Sequence, residues 1–251
     1  FYRAALNLVL AVSSLFGFGT VLLPVFTGIT KERLERGFQK TVRYIIMFTI
    51  PAVVGIVIVA RYFILAVYGQ EYLPASIPLY ALSLIVFISP LISVYSTVFQ
   101  SKEKAKDLSK IVAYSLVLNI LLNLVLIKYF PIWFNKGPEF AILGAAVATV
   151  LSRCFYLLAL FQISKKSFKI KTKFPDLEKF LLSSLVMAGF LVFFKNFVDI
   201  NWVFGVIEIL AGIVIYFITL YLLKGLKKED IVLFKNVFYG KFKRIIETKR
   251  I

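Results

Sequence analysis

The strongest constraint on this chain is a succession of apolar runs, each close to or beyond the roughly 20 helical residues needed to cross a hydrocarbon core about 30 Å thick. They lie at Ala4–Phe26, Tyr44–Val67, Ser76–Phe99, Ile111–Phe130, Ala141–Ile163, Phe180–Phe197 and Trp202–Leu223, the sixth being the shortest. Runs of this length are too long for a globular core. The predicted fold class is therefore all-α, a polytopic membrane helical bundle of about seven transmembrane helices. Composition points the same way: 60% of the 251 residues are hydrophobic and 17% charged, against about 25% charged in soluble domains, and the mean hydropathy is +0.88.

The connecting segments test this map, because positive residues collect in alternate loops when spans are real. The first loop holds Lys31, Arg33, Arg36, Lys40 and Arg43, and the third Lys102, Lys104, Lys106 and Lys110. The fifth holds Lys165, Lys166, Lys169, Lys171, Lys173 and Lys179, and the tail after the last span adds Lys224, Lys227, Lys228, Lys235, Lys241, Lys243, Arg244, Lys249 and Arg250. One side thus carries 24 of the 30 basic residues. That side is predicted to be cytoplasmic, with the C-terminus inside and the N-terminus outside. The net charge of +17 then follows from topology and from attraction to anionic lipid headgroups. Nucleic acid is not an expected partner, because the charge is spread over four membrane-edge segments instead of one folded face. In the tail, Ile231, Phe234, Phe238, Phe242 and Ile245 recur every three or four residues between lysines, which predicts an amphipathic helix along the inner interface.

The single cysteine, Cys154, allows no internal disulfide, and histidine is absent, which removes the commonest metal ligand and proton shuttle. No metal or cofactor is expected. No cleavable signal peptide is legible, and the chain begins at Phe1, so a fragment of a larger protein is the expectation, with a processed or trimmed N-terminus as the alternative.

Four stretches carry a family resemblance: Phe1-Tyr2-Arg3-Ala4-Ala5 leading to Leu22-Leu23-Pro24-Val25-Phe26; Val67-Tyr68-Gly69-Gln70-Glu71-Tyr72; Leu118-Asn119-Ile120-Leu121-Leu122-Asn123; and Gly144-Ala145-Ala146-Val147-Ala148-Thr149. In order and spacing they resemble the polysaccharide (lipid-linked oligosaccharide) flippases of the multidrug/oligosaccharidyl-lipid/polysaccharide exporter superfamily. The resemblance implies fourteen spans in two six-helix bundles plus a final pair. Residues 1–163 would be five helices of the second bundle, 164–225 the additional helix pair, and 226–251 a cytoplasmic basic tail. It further implies a partner, the missing N-terminal half of the transporter, and a polyprenyl-diphosphate-linked oligosaccharide as substrate, moved for cell-surface polysaccharide biosynthesis at the cell membrane.

Ionisable groups inside a span cost roughly 2.5–3.5 kcal/mol and need a reason. Arg153 falls mid-span and is a candidate for the diphosphate, whose oxygens suit the planar guanidinium fork; pairing with another helix is the alternative. Arg61, toward the outer end of the second span, either snorkels to headgroups or meets the diphosphate at the outer mouth, and Arg3 has the same two readings. Asn119 and Asn123, with Ser115, share one helical face and either bind sugar hydroxyls or bond helix to helix. Glu208 is the one acid well inside a span, with an ion-coupling or a structural role. Gly144, Ala148 and Ser152 form a small-residue stripe suited to close packing. Pro51, Gly55, Pro78 and Pro90 predict local bends.

A cation-coupled multidrug exporter of the same superfamily is the first rival, and it would call for cavity acids where Arg and Asn stand here. A membrane-embedded glycan polymerase or glycosyltransferase is the second. Its plausible outer acids, Glu71, Glu139 and Asp199, are scattered over three loops without a paired motif, so an enzyme is not expected.

Overall fold

The computed structural model describes residues 1–17, 19–135, 137, 139–168, 174, 176–195, 202–227, 229, 230 and 232. These contain helices and no strand, in the order α1 (Tyr2–Ser14), α2 (Gly19–Phe26), α3 (Lys31–Tyr68), a 3-10 turn (Gln70–Ala75), α4 (Ser76–Leu82), α5 (Leu84–Ser101), α6 (Ala105–Phe134), α7 (Glu139–Phe168), α8 (Leu177–Lys195) and α9 (Trp202–Leu222). Six of them, α3 and α5 to α9, are long and apolar enough to cross a membrane. A helix is the form that satisfies every backbone polar group where lipid offers no partners.

The first predicted span differs from expectation in being two short helices. The hydroxyl of Ser14 donates back to the Ala11 carbonyl at 2.7 Å, and the amides of Leu15, Phe16 and Gly17 reach only three residues back, at 3.1–3.2 Å. Serine bonding its own backbone and glycine both weaken a helix interior, so α1 stops there. The third predicted span is α4 and α5 meeting at Ser83, whose hydroxyl donates to the Tyr80 carbonyl at 2.7 Å.

The first basic segment is helical, not a loop. The 38 residues of α3 measure about 57 Å at 1.5 Å per residue, far more than the hydrocarbon core requires. Its first turns expose Lys31, Arg33, Arg36 and Lys40 and bury Leu34, Phe38 and Val42. Phe38 meets Tyr95 of α5 edge to face at 4.9 Å, and Gly37 lies against the Phe26 ring of α2. Lys106, Lys110, Lys165 and Lys166 likewise ride on extensions of α6 and α7. Hydropathy reports where the apolar stretch ends, whereas these helices continue past it on an amphipathic face. α3 ends at Gly69, whose φ of 85° is a conformation that glycine enters without steric cost.

Inside α3, Pro51 has no N–H, which leaves the Met47 carbonyl without its intrahelical donor. The Tyr216 hydroxyl of α9 donates to that carbonyl at 2.6 Å, and α3 runs on through the proline. The core sits around α3 and α5, where Ile45, Ile46, Met47, Val86, Val94 and Val98 are fully enclosed. α6 and α7 form a hairpin so close that a Cβ on Gly144 would overlap the Leu126 carbonyl. The far side of α6 exposes Leu116, Ile120 and Leu124, an apolar face of the kind that lipid covers. The predicted amphipathic tail, with Ile231, Phe234, Phe238, Phe242 and Ile245, lies outside the described residues, as do Asp199 and the last two residues of the sixth predicted span.

Candidate functional site

Arg153 stands at the middle of α7 and is half-buried. Its Nη1 donates to the Ser89 Oγ of α5 at 3.0 Å. No carboxylate among the described residues lies within ion-pair distance of it. One turn earlier on the same helix, Thr149 shares a 2.8 Å hydrogen bond with the Tyr2 hydroxyl of α1. One turn later in phase, the Tyr156 hydroxyl lies 3.4 Å from Ser96 Oγ. α1, α5 and α7 therefore enclose a strip of hydroxyl groups around one guanidinium. Neutral hydroxyls orient an arginine without neutralising it, so its charge remains available to an anion.

Arg61 is exposed on α3, at the end of the molecule opposite the basic helix extensions. It lines a broad depression of about 760 Å³ with Phe1, Ser76 and Tyr80 among its walls. Arg3 is exposed in the first turn of α1. Arg3 belongs to the first turn of α1, Phe1 beside that turn shares the depression with Arg61, and Tyr2 bonds Thr149, one turn from Arg153.

Asn119 and Asn123 are not part of this grouping. Asn119 Nδ2 donates to Ser152 Oγ at 2.9 Å, and Asn123 Nδ2 donates to the Asn119 carbonyl at 2.8 Å and to its Oδ1 at 3.1 Å. Ser115 Oγ donates to the Ser152 carbonyl at 3.0 Å. These groups stitch α6 to α7 on the face of α7 that carries Ser152, and they are engaged with one another. Glu208 of α9 is buried at 3% exposure.

Sequence reasoning missed two features. The first is a groove of about 400 Å³ between α1, α3, α8 and α9, walled by apolar side chains such as Val12, Phe48, Leu191 and Ile213, with Pro51 and Gly55 along one side. Gly55 leaves it open, because nothing lies within 4 Å of where its Cβ would be. The second is a buried ionic cluster at the basic end. Arg43, assigned from the sequence to a loop, is 5% exposed. Its Nε donates to Asp176 Oδ2 at 3.1 Å, its Nη1 to both Asp230 oxygens at 3.0 and 2.9 Å, and its Nη2 to the Gly225 carbonyl at 2.8 Å. Tyr44 Oη donates to Asp230 at 2.8 Å. Lys179 pairs with Asp176 at 3.3 Å. Burial alone would raise both carboxyl pKa values, but for Asp176 the hydrogen bonds from Arg43 and Lys179 outweigh it. For Asp230 the Lys227 amide, Tyr44 and Arg43 do so, and both groups are held below the usual carboxylate range.

Three similarities bear on this arrangement. The family model described as "Lipid II flippase MurJ" matches residues 4–213. The probable low-salt glycan biosynthesis flippase Agl15 of Haloferax volcanii is 27% identical over 186 residues, covering 73% of this chain and 36% of Agl15. Lipid II flippase MurJ in an inward closed conformation superposes with a TM-score of 0.67 at 21% identity, over 95% of this chain and 46% of that one, a likeness of fold. The chain accordingly spans about a third of the length of that curated relative.

Proposed function

Since the chain belongs to the family of lipid II flippase MurJ, we propose that it forms one wall of a transporter that flips a polyprenyl-diphosphate-linked oligosaccharide for cell-surface glycan assembly. The observation that carries this reading is Arg153, a half-buried guanidinium in mid-helix held by the neutral Ser89 and by no carboxylate among the described residues. A charge kept at that depth is costly. An anion that visits and leaves accounts for it, and the diphosphate of a lipid carrier is such an anion. Arg3 and Arg61 extend the same positive field toward the end where headgroup meets water, so that a diphosphate passes from one to the next.

The 400 Å³ groove suits the other end of the substrate. Its walls are apolar, as a prenyl chain requires, and a chain moving from lipid into the groove exchanges one apolar surface for another. In this reading the lysine-rich helix extensions and the C-terminus face the cytoplasm, which the charge asymmetry supports. The remaining part of a MurJ-like transporter is the partner this reading requires, since a headgroup path needs a second wall facing α1 and α5.

The test is flipping of a fluorescent lipid-linked saccharide in proteoliposomes that contain this chain together with the complementary part. Arg153→Ala is expected to lose flipping while the protein remains folded. Undiminished flipping by that variant would remove the diphosphate from the reading.

A further inference from the structure

We propose that the Arg43 cluster is a clasp that makes α3, α8 and α9 one rigid body, so that the apolar groove opens only along α1 and the turn that follows it. α9 lies antiparallel along α3 in a register fixed at three heights. Gly205 approaches Tyr62 so closely that an added Cβ would stand 3.2 Å from the Tyr62 Cβ. Tyr216 hydrogen-bonds the Met47 carbonyl at 2.6 Å. At the basic end, Arg43 binds the Gly225 carbonyl and both oxygens of Asp230. α8 joins the same post: Arg43 binds Asp176, just before α8, and its guanidinium lies 5.8 Å from the centre of the Phe180 ring. Farther along, Leu191 of α8 fills the notch of Gly212 on α9.

The bond set is interdependent. Asp230 is 2% exposed and takes hydrogen bonds from Arg43, Tyr44 and the Lys227 amide. Removing one charge from such a group strands the others without water, which penalises partial opening and favours one fixed register. Three of the four groove walls are therefore fastened together.

The fourth wall is built differently. Val12, Leu15 and Phe16 line the groove from the stretch where the α1 backbone falls back to three-residue hydrogen bonds. Among the described residues, the side-chain hydrogen bonds of α1 run to α1 itself and to Thr149 of α7. Against the three-helix body it offers the Phe16 ring, stacked 6.4 Å from that of Phe48. An apolar contact slides where an ion cluster breaks. The hinge is accordingly the segment Leu15–Gly17.

Pulsed electron paramagnetic resonance on the full chain in lipid vesicles reads both halves of the proposal. With Cys154→Ser as background, spin labels replace the exposed pairs Val57 with Ile218 (α3 to α9) and Leu10 with Ile218 (α1 to α9). The first pair is expected to give one narrow distance and the second two distances or a broad band. Arg43→Gln is expected to lose the narrow α3–α9 peak while α-helical circular dichroism is retained. Should that variant lose its helicity, Asp230→Asn, which removes the charge and keeps an acceptor oxygen for one of Tyr44 and the Lys227 amide, decides in its place. A narrow α3–α9 distance surviving in the deciding variant overturns the clasp, and a single narrow α1–α9 distance in the unmutated clasp overturns the hinge. Because the readout is a distance and not transport, either failure leaves the flippase reading standing.

Discussion

Replacing Arg153 by Met separates a transport role from a structural one by the sign of its effect on stability. Methionine is unbranched, of comparable length and apolar, and it fills irregular space without strain. The arginine costs roughly 2.5–3.5 kcal/mol at the centre of a membrane helix, and the substitution recovers that cost. Against it stands the loss of the 3.0 Å bond to Ser89, and interhelical hydrogen bonds of this kind average about 0.6 kcal/mol. The net expectation is a stabilisation of roughly 2–3 kcal/mol. A structural anchor behaves oppositely, since breaking a buried ion pair costs about 3–5 kcal/mol.

Denaturant titration in detergent micelles, followed by circular dichroism, measures the difference. Flipping should fall in the same variant by roughly tenfold to a hundredfold, the loss of one charge-assisted bond of about 1.5–3 kcal/mol. A midpoint that moves down, with flipping intact, refutes the reasoning: Arg153 would then hold helices together and touch no substrate.

Three further outcomes are expected. Gly144→Ala pushes a methyl into the Leu126 backbone and should destabilise by about 1–3 kcal/mol, with weakened Ser115 and Asn119 contacts to Ser152 visible as faster amide exchange in the middle of α6. Gly55→Phe should fill the groove and block flipping of a long-chain substrate more than a short-chain one, with stability nearly unchanged because the space beside Gly55 is open. The carboxyl groups of Asp176 and Asp230 have folded-state pKa values below the ordinary 3.8, so their contribution is fully present above that value and is lost as pH falls through the folded-state pKa. Acid titration should release α8 and α9 from α3 below pH 3.8, with no change through the neutral range, and Asp230→Asn should flatten that transition.

Six of the seven predicted runs correspond to a helix long and apolar enough to cross a membrane, and these were legible in the sequence because that property depends only on run length and hydropathy. The seventh run, Trp202–Leu223, agrees with α9 (Trp202–Leu222) to one residue. The helix extensions were not legible, since Lys31 to Arg43 is too charged to register as apolar while burying one face, and an amphipathic end looks polar on average. Nor was the break of the first run at Leu15–Gly17, where Ser13, Ser14 and Gly17 are each ordinary in a membrane helix and only together release it.

The two arginines show why the rest was hidden. Arg43, in a run of basic residues at the edge of a span, reads as a solvated topology charge, while Arg153, deep in an apolar run, reads as the charge that must be buried and paired. The structure reverses their surroundings: Arg43 is 5% exposed with its partners in place, and Arg153 is half-exposed with a hydroxyl. Position along a helix gives depth in the bilayer, but the environment at that depth depends on azimuth and on what returns from elsewhere in the chain. The partners of Arg43 come from 133 and 187 residues away, and no local pattern announces them. Burial of a charge is thus evidence of a structural role when its counter-ions are in place. The arginine to test for transport is the one whose depth is costly and whose counter-charge the described residues do not supply.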